Sequence, residues 1–328
     1  MSDSDKNRFV RRNACPLCQT PVELARLLFH VQQLTEKMPV LLCPTCGLAF
    51  KASSPSPDLL AQIYGEHYAH YQPADERTVL RGTYERVQRM GSPRGKKHLD
   101  YGCGSGDFVR GARHWGWESY GADPMLPQRL LQRDEKHFFR YSADTEAHLV
   151  QGPFDVITLW AVVEHLEHPL AVFRHLVDNL KDGGTILYNV PNAESLAARK
   201  HGSRWEMALL LEHTLFFTTK TVDYLAHELG LEIVTQRTCG FPYPLGLVAS
   251  GQSEEQMEKG SSSAPGYAIP RHSLGIACFK KKCVRFLRRA STWPVLRSMM
   301  RMLVDRMGTG DHLFIVMKKS PLHEYVRL

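Results

Sequence analysis

The chain has 328 residues, of which 43% are hydrophobic and 23% charged, and its net charge is +7. These values are typical of an ordinary soluble globular protein, and the length allows one large domain with appendages or two domains. No segment approaches the run of about 18 uncharged apolar residues that spans a membrane, and the first residues lack the apolar stretch of a secretion signal, so we expect a cytoplasmic protein.

Four of the eight cysteines form two C-x2-C pairs near the N-terminus. Cys15 and Cys18 lie in "CPLCQ", and Cys43 and Cys46 lie in "CPTCG". Each pair can present two thiolates from one tight turn, so the two turns complete a tetrahedral metal site with no open position. The spacing predicts a structural zinc ribbon, and it disfavours unconnected core cysteines or a redox pair, because neither pair opens a βαβ unit.

After the ribbon the chain alternates between strand and helix patterns, which predicts an α/β fold with a mostly parallel sheet covered on both faces. The stretch "SSPSP" from Ser53 predicts a linker. The predicted organisation is a zinc ribbon at 12–52, a helical linker and cofactor cover at 53–96, a core at 97–240, a flexible loop and basic helical insertion at 241–310, and a final core strand and tail at 311–328.

The stretch "HLDYGCGSGDFV" spans the end of the first predicted core strand and the turn after it, and it has the pattern D-x-G-x-G-x-G, with glycines at 102, 104 and 106. These glycines let the backbone approach a ligand where the strand turns into a helix, although Gly106 is also explained by helix packing alone. A carboxylate at Asp100 would repel a pyrophosphate but attract an amino group, and Asp123, in "GADP", can accept both ribose hydroxyls. The two acids favour S-adenosylmethionine over a dinucleotide, with helix or turn capping as the alternative for both.

Five segments in order resemble the successive signatures of class I S-adenosylmethionine-dependent methyltransferases. They are "HLDYGCGSGDFV", "GADP", "FDVITLWAVVEHLEHP", "GGTILYNVPN" and "EHTLFFTTKTVDYLAHELGLEIV". The "EHLEHP" and "VPN" segments and the CPxCG ribbon resemble the small-molecule branch similar to ubiquinone methyltransferases. The resemblance covers about residues 12–240 and the last strand, and it implies a Rossmann-like methyltransferase sheet with a helical insertion before the last strand.

The resemblance also implies a role for each residue of the cofactor site. The methionine part of the cofactor would lie against Asp100, Gly102 and Gly104, around the variable Cys103, and the ribose would lie against Asp123. The adenine would lie between Pro124 and Met125 on one side and Ala143 and Asp144 on the other. The sulfonium would lie beside Trp160 and Ala161, and Tyr68 and Tyr71 would cover the whole cofactor. For the two tyrosines, ordinary helix packing is the alternative.

Methyl transfer needs a base only if the acceptor keeps a proton. The candidates are Glu164 and His165, just past the fourth strand, and His213 in "EHTLFF", which we expect at the same mouth of the sheet. Helix capping by Glu164 and packing by His165 are the alternatives. Similarity to ubiquinone-type enzymes also implies a divalent metal on the acid of this segment, but the sequence shows no complete second set of ligands.

Residues 271–306 contain ten lysines and arginines and one acid, so this segment alone carries +9. Apolar residues recur there at helical spacing, which predicts basic amphipathic helices. Such helices can close over the substrate pocket as a lid, lie on an anionic membrane surface at the inner face of the membrane, or hold RNA through phosphate contacts.

Three functions therefore compete. A methyltransferase acting on a sugar, a lipid-linked molecule or a secondary metabolite is favoured. An RNA methyltransferase using the ribbon and the basic helices is the alternative, and "WAVVEHLEHP" lacks the N-P-P-Y-like turn typical of amino-methylating base enzymes. A non-catalytic binding module is disfavoured by the intact Asp100 and Asp123. The methylated atom and the oligomeric state are left open.

Overall fold

The computed structural model describes residues 8–69, 75–126, 128–141, 152–240 and 306–320. Tyr71, Ala143 and Asp144 lie outside the described residues, as does residue range 241–305 with its predicted basic helices, and nothing is described of the Tyr68 side chain. The roles predicted for these residues stay predictions. Within the part of the chain that the structure describes, no helix combines the length and the apolar character needed to cross a bilayer.

The N-terminal residues form five short strands, which together we call the ribbon. They are β1 (Phe9–Arg11), β2 (Arg26–Gln33), β3 (Glu36–Leu42), β4 (Ala49–Lys51) and β5 (Ser53–Pro55). The strands β2, β3 and β4 form an antiparallel sheet, and β1 pairs with β5. The stretch predicted as a linker from Ser53 is thus the last strand of the ribbon, because Ser53 and Pro55 align with Arg11 and Phe9.

Two helices lead from the ribbon to the core, α1 (Pro57–Ala69) and α2 (Glu76–Arg89). Proline suits the first turn of α1, where its missing N–H costs no helical hydrogen bond. The Asp75 side chain caps α2 by accepting a hydrogen bond from the Thr78 backbone N–H. The buried face of α2 includes Val87, which packs with Phe108 in the core.

The core contains a seven-stranded sheet flanked by helices. Its strands are β6 (Lys97–Tyr101), β7 (Glu118–Ala122), β8 (Phe138–Phe139), β9 (Phe154–Trp160), β10 (Leu180–Pro191), β12 (Leu231–Cys239) and β13 (His312–Lys319). The helices that follow α2 are α3 (Asp107–His114), α4 (Gln128–Asp134), α5 (Pro169–Asp178), α6 (Leu196–His201), α7 (Glu206–Leu209) and α8 (Thr219–Leu229), and β11 (Leu215–Phe216) lies outside this sheet. This confirms the predicted α/β fold.

The strand order is β12-β13-β10-β9-β6-β7-β8. Strands β6 to β10 run parallel, and β13 is antiparallel to both of its neighbours. From β6 the chain passes to β7 on one side and later returns to β9 on the other, so the order reverses at β6. Ligands of open α/β sheets bind outside the carboxyl ends of the strands at such a point.

The ribbon shares its sheet with one strand from the core region. The strand β11 adds to the edge of β4, with Leu215 opposite Phe50 and Phe216 opposite Ala49. Beside this pairing, the Lys51 N–H donates to the Thr214 carbonyl at 2.9 Å. The ribbon is therefore joined to the segment that carries the predicted base His213, although the two are far apart in sequence.

The same junction is apolar inside. Cys43, Leu48 and Phe50 of the ribbon lie in one buried cluster with Leu99 and Ile157 of the central strands. All five side chains are at most 1% exposed. Because the ribbon and the sheet bury each other's apolar surface, we expect them to unfold together.

We predict that Phe50→Ala lowers the free energy of unfolding by about 3–5 kcal/mol, because it leaves a cavity in this shared cluster. Urea titrations followed by far-UV circular dichroism and by tryptophan fluorescence should give one coincident transition. Leu27→Ala, on the same small sheet but 48% exposed, is the control and should change stability by less than about 0.5 kcal/mol. Two separate transitions would contradict the shared core.

Candidate functional site

The glycine loop and both strand-end acids meet at one edge of the sheet. The β6–β7 register sets Asp100 opposite Gly121 and Tyr101 opposite Ala122, so Asp100 and Asp123 lie at the same carboxyl edge. The loop then turns back on β7, since the Gly102 and Cys103 N–H groups both donate to the Ala122 carbonyl, at 2.7 and 3.1 Å.

Gly102 is the position where the loop most needs glycine. Its φ of +76° lies in the left-handed region, and an added Cβ would sit 2.4 Å from Val162 Cγ2. The turn after β6 thus lies directly against the segment after β9. The carboxyl ends of these two strands lie side by side and form one surface, which we call the floor of the site. The predicted cofactor residues lie on one half of this floor, and the predicted bases lie on the other half.

Asp123 is 5% exposed, and each of its carboxylate oxygens accepts one backbone hydrogen bond. The Gly104 N–H donates to Oδ2 at 2.9 Å, and the Met125 N–H donates to Oδ1 at 2.8 Å. Burial raises the pKa of this carboxyl, and the two N–H groups oppose that shift. Each oxygen keeps a lone pair for a further donor, so the carboxylate can still receive two hydroxyl groups.

Asp100 is deeper, with 3% of its surface exposed. The Thr158 hydroxyl donates to Asp100 Oδ1 at 2.7 Å. Burial raises the pKa of Asp100 to about 7, while the Thr158 hydrogen bond and the positive charge of Arg86 lower it and the negative charge of Asp123 raises it. Near neutral pH, a cation that enters the site would therefore shift this carboxyl toward its ionised form.

Arg86, on α2, lies beside the predicted cofactor residues, and no sequence pattern indicated it. Its guanidinium lies 5.0 Å from the centre of the Phe108 ring and 5.6 Å from that of Trp160. This cation–π arrangement, with the charges of Asp100 and Asp107, keeps the arginine at the cofactor edge. A positive charge beside Asp100 can attract the carboxylate of a ligand that carries an amino acid group.

Beyond β9 the backbone changes direction sharply. Ala161 has a φ of +54°, in the left-handed region that disfavours residues with a side chain. Its N–H donates to Asn189 Oδ1 at 3.2 Å, which ties the turn to the end of β10. The next residues, Val163–His165, form one turn of 3₁₀ helix, and this turn directs Glu164 inward.

The three predicted bases come together behind this turn. Ligand atoms of Glu164, His165 and His213 lie within 4.8 Å of one another. The Thr214 N–H donates to the Glu164 carbonyl at 2.9 Å, and the rings of His165 and His213 meet edge to face at 4.9 Å. The sequence shows no complete second set of metal ligands, but the fold adds His213 to the pair after β9, and the three side chains lie close enough together to hold a metal ion.

Burial keeps this cluster uncharged near neutral pH. It raises the pKa of Glu164 to about 8 and lowers that of His213 to about 3. It also lowers the pKa of His165, whose Nδ1 donates to the Glu212 carbonyl at 3.2 Å. Glu164 Oε2 and His213 Nδ1 are buried and have no hydrogen-bond partner among the described residues.

Tyr64, on α1, lies between the two halves of the site. Its ring meets that of His165 at 6.3 Å. Burial raises the pKa of the phenol, and the charges of Glu212, Asp123 and Glu164 raise it further. One side chain thus feels both the predicted ribose ligand and the predicted base. The resemblance implied Tyr68 and Tyr71 as the cofactor cover, which stays a prediction, and it did not indicate Tyr64.

Four other predicted cofactor residues have distinct settings. The Cys103 side chain packs into an apolar cluster with Phe138. The Trp160 ring stacks on Phe314 at 6.2 Å. Met125 is 38% exposed and Pro124 is half-buried, so an open apolar surface follows Asp123.

The four ribbon cysteines converge as the spacing predicts. Their sulfur atoms lie within 4.8 Å of one another, with Cys15 and Cys46 at 3.5 Å and Cys18 and Cys43 at 3.4 Å. Cys15, Cys43 and Cys46 are at most 1% exposed. Four thiols packed this closely form no disulfide, and their arrangement suits one tetrahedral metal ion.

Comparison with known proteins identifies the family. A family model described as a methyltransferase domain matches residues 66–236, just over half of the chain. A ubiquinone biosynthesis O-methyltransferase of Thiobacillus denitrificans is 26% identical over 199 residues, which cover 56% of this chain and 83% of that protein. One from Escherichia coli is 29% identical over 142 residues, covering 41% of this chain and 56% of that protein.

Among solved structures, an S-adenosylmethionine-dependent methyltransferase from Thermotoga maritima is 16% identical and gives a TM-score of 0.43, with 80% of this chain and 99% of that chain covered. The family match carries the assignment. It includes the glycine loop, both strand-end acids and the Glu164–His165–His213 cluster. The protein therefore belongs to the class I S-adenosylmethionine-dependent methyltransferases.

Proposed function

We propose that this methyltransferase methylates a hydroxyl group of a small-molecule acceptor. The observation that carries the proposal is the pair of buried, unpartnered atoms Glu164 Oε2 and His213 Nδ1 at the floor where the cofactor site ends. A hydroxyl acceptor must lose its proton, and His213 Nδ1 would receive it, with the Glu164 carboxyl as a hydrogen-bond partner of the same oxygen. The curated relatives described above are named as O-methyltransferases, which supports the same chemistry.

The cofactor half would hold S-adenosylmethionine along the edge of β6 and β7. Asp100 would receive the ammonium group, with Arg86 near the carboxylate, and Asp123 would receive the ribose hydroxyls. Gly102 and Gly104 allow the backbone to approach the methionine part. Met125 would lie along the adenine. Two buried carboxylates would repel a phosphate group, which agrees with a cofactor that carries none.

Transfer of the methyl group is an in-line displacement in which the acceptor oxygen attacks the methyl carbon and the sulfonium becomes a neutral thioether. The protein contributes mainly by positioning the two reactants. His213 is neutral because burial lowers its pKa, and its unpartnered Nδ1 would accept the hydroxyl proton as attack on the methyl carbon leaves positive charge on the acceptor oxygen. Protonated Glu164 would hold the acceptor oxygen by donating a hydrogen bond, and Tyr64 would cover it.

The same cluster fits a divalent cation. Glu164, His165 and His213 supply one carboxylate and two imidazoles within reach of one ion, and two of their atoms lack partners. A cation held there would polarise the acceptor oxygen and lower the pKa of its hydroxyl. Turnover measured after chelation and after addition of Mg²⁺ would separate this role from that of a simple base.

The four-cysteine cluster is proposed to hold structural zinc. All four positions are taken by thiols, so the ion would have no open site for chemistry. We predict one zinc per purified chain by elemental analysis. Cys46→Ser should lose it, because a four-ligand site loses a ligand, whereas Cys239→Ser at the end of β12 should retain it. Iron in place of zinc would overturn the assignment.

The ribose role of Asp123 makes a second prediction. Asp123→Ala should weaken S-adenosylhomocysteine binding more than about tenfold, or about 1.4 kcal/mol, measured by calorimetry. The control is Glu118→Gln, at the opposite end of the same strand and away from the edge. Unchanged affinity in a folded Asp123→Ala protein would reject the role.

The base cluster makes a third prediction. Incubation with S-adenosylmethionine and a panel of phenols, catechols and sugars should release S-adenosylhomocysteine with at least one hydroxyl acceptor. His213→Asn should then lower kcat by about 10²–10⁴-fold, because the proton loses its receiver, and leave cofactor affinity unchanged. The exposed His168→Asn, in the same segment as Glu164, should keep full turnover. Methylation confined to amines would contradict the proposal.

A further inference from the structure

Three neighbouring strands carry a buried row of polar side chains that the mechanism above does not use. His98, on β6, lies between Ser119, on β7, and Thr158, on β9. Its Nδ1 is 2.7 Å from Ser119 Oγ, and its Nε2 is 2.9 Å from Thr158 Oγ1. All three residues are 0% exposed. Thr158 in turn donates to Asp100 Oδ1 at 2.7 Å, so the row ends on a proposed cofactor ligand.

The hydrogen bond to Asp100 determines which atom carries the proton in each of the other hydrogen bonds of this row. A carboxylate accepts only, so the single Thr158 hydroxyl proton points at Asp100. Thr158 Oγ1 must then accept from His98 Nε2–H. Burial lowers the pKa of His98 to about 3, so the ring is neutral, its Nδ1 is bare, and that nitrogen accepts from the Ser119 hydroxyl. Every donor therefore points toward Asp100.

We infer that His98 and Thr158 are positioning residues that keep the Asp100 carboxylate ionised and aimed at the ammonium group of the cofactor. The inference rests on the proposed role of Asp100. A chain of hydrogen bonds with one direction polarises each member and stabilises negative charge at its end. Because the row is built on paired strands, the carboxylate is oriented before the cofactor arrives.

The charges around Asp100 show why it needs this support. Burial raises its pKa to about 7, and the charge of Asp123 after β7 raises it too. Only the Thr158 hydroxyl from β9 and the Arg86 cation from α2 act in the other direction. A carboxyl with this pKa is only partly ionised at neutral pH, so cofactor binding should strengthen as the pH rises through about 7. His98 does not titrate in that range.

The test measures S-adenosylhomocysteine affinity by calorimetry between about pH 6 and about pH 8.5 for the full-length protein. Thr158→Val keeps the shape of the side chain but removes the donor, so the pKa of Asp100 should rise by about one unit. Affinity should then fall about fivefold at pH 7 and less than about twofold at pH 8.5, with the midpoint displaced upward. Thr158→Ser should restore the wild-type profile.

His98 is tested in the same way. His98→Leu removes the donor that fixes the Thr158 hydroxyl, and it should displace the midpoint in the same direction. His98→Gln retains an N–H at the position of Nε2, and it should displace the midpoint less. A role confined to packing would lower the melting temperature of the variants without moving the pH midpoint, and that result would overturn the inference.

The variant Asp100→Asn distinguishes a failure of the proposed cofactor role of Asp100 from a failure of the positioning role of His98 and Thr158. If it leaves affinity unchanged, the proposed cofactor role of Asp100 is wrong. If it weakens binding while Thr158→Val and His98→Leu keep the wild-type pH profile, the role of Asp100 stands and the positioning row is wrong. Should Thr158→Val fail to fold, the pair His98→Leu and His98→Gln gives the same decision.

Discussion

The pairing of β11 with β4 is the contact on which the arrangement of this protein depends. Two residues, Leu215 and Phe216, join the ribbon to the methyltransferase core. The residues just before them, His213 and Thr214, are thereby held against Glu164. Arg12 of the ribbon also forms an ion pair with Glu167, in the same segment as Glu164. The ribbon is thus part of the wall behind the proposed base cluster rather than a separate attachment.

The effect of burial on pKa values is opposed in one half of the site and hardly opposed in the other. At the proposed cofactor edge, backbone N–H groups, a hydroxyl and Arg86 act against the rise that burial imposes on the pKa values of Asp100 and Asp123. This favours the charged forms that a cationic cofactor needs. At the cluster, little opposes burial, so Glu164 and His213 are neutral around pH 7. In the proposed function, neutral His213 would receive the hydroxyl proton and protonated Glu164 would donate a hydrogen bond to the acceptor oxygen.

Patterns local in sequence predicted the parts of the fold that local forces set. The predicted alternation of strand and helix is observed: the strands Lys97–Tyr101 and Glu118–Ala122 each end at a turn signal, a glycine in the first case and Asp123 with Pro124 in the second. The two-residue strand β11 could not be predicted, since only its pairing with β4 makes it a strand. The cysteine spacing indicated the cluster directly. Arg86 and Tyr64 gave no signal, because helical spacing does not tell which turn faces a site formed elsewhere.

The contact between β4 and β11 also constrains how the chain is assembled during translation. Ribbon residues hydrogen-bond to partners 159 to 175 positions later. The cysteine turns leave the ribosome well before residues around 215 and, if they hold zinc as proposed, could bind it at that stage, whereas the edge of β4 waits for those later residues. An unpaired strand edge is prone to associate with other chains. Metal bound early would hold the nascent ribbon in shape through that interval, so metal supply would govern the yield of folded protein.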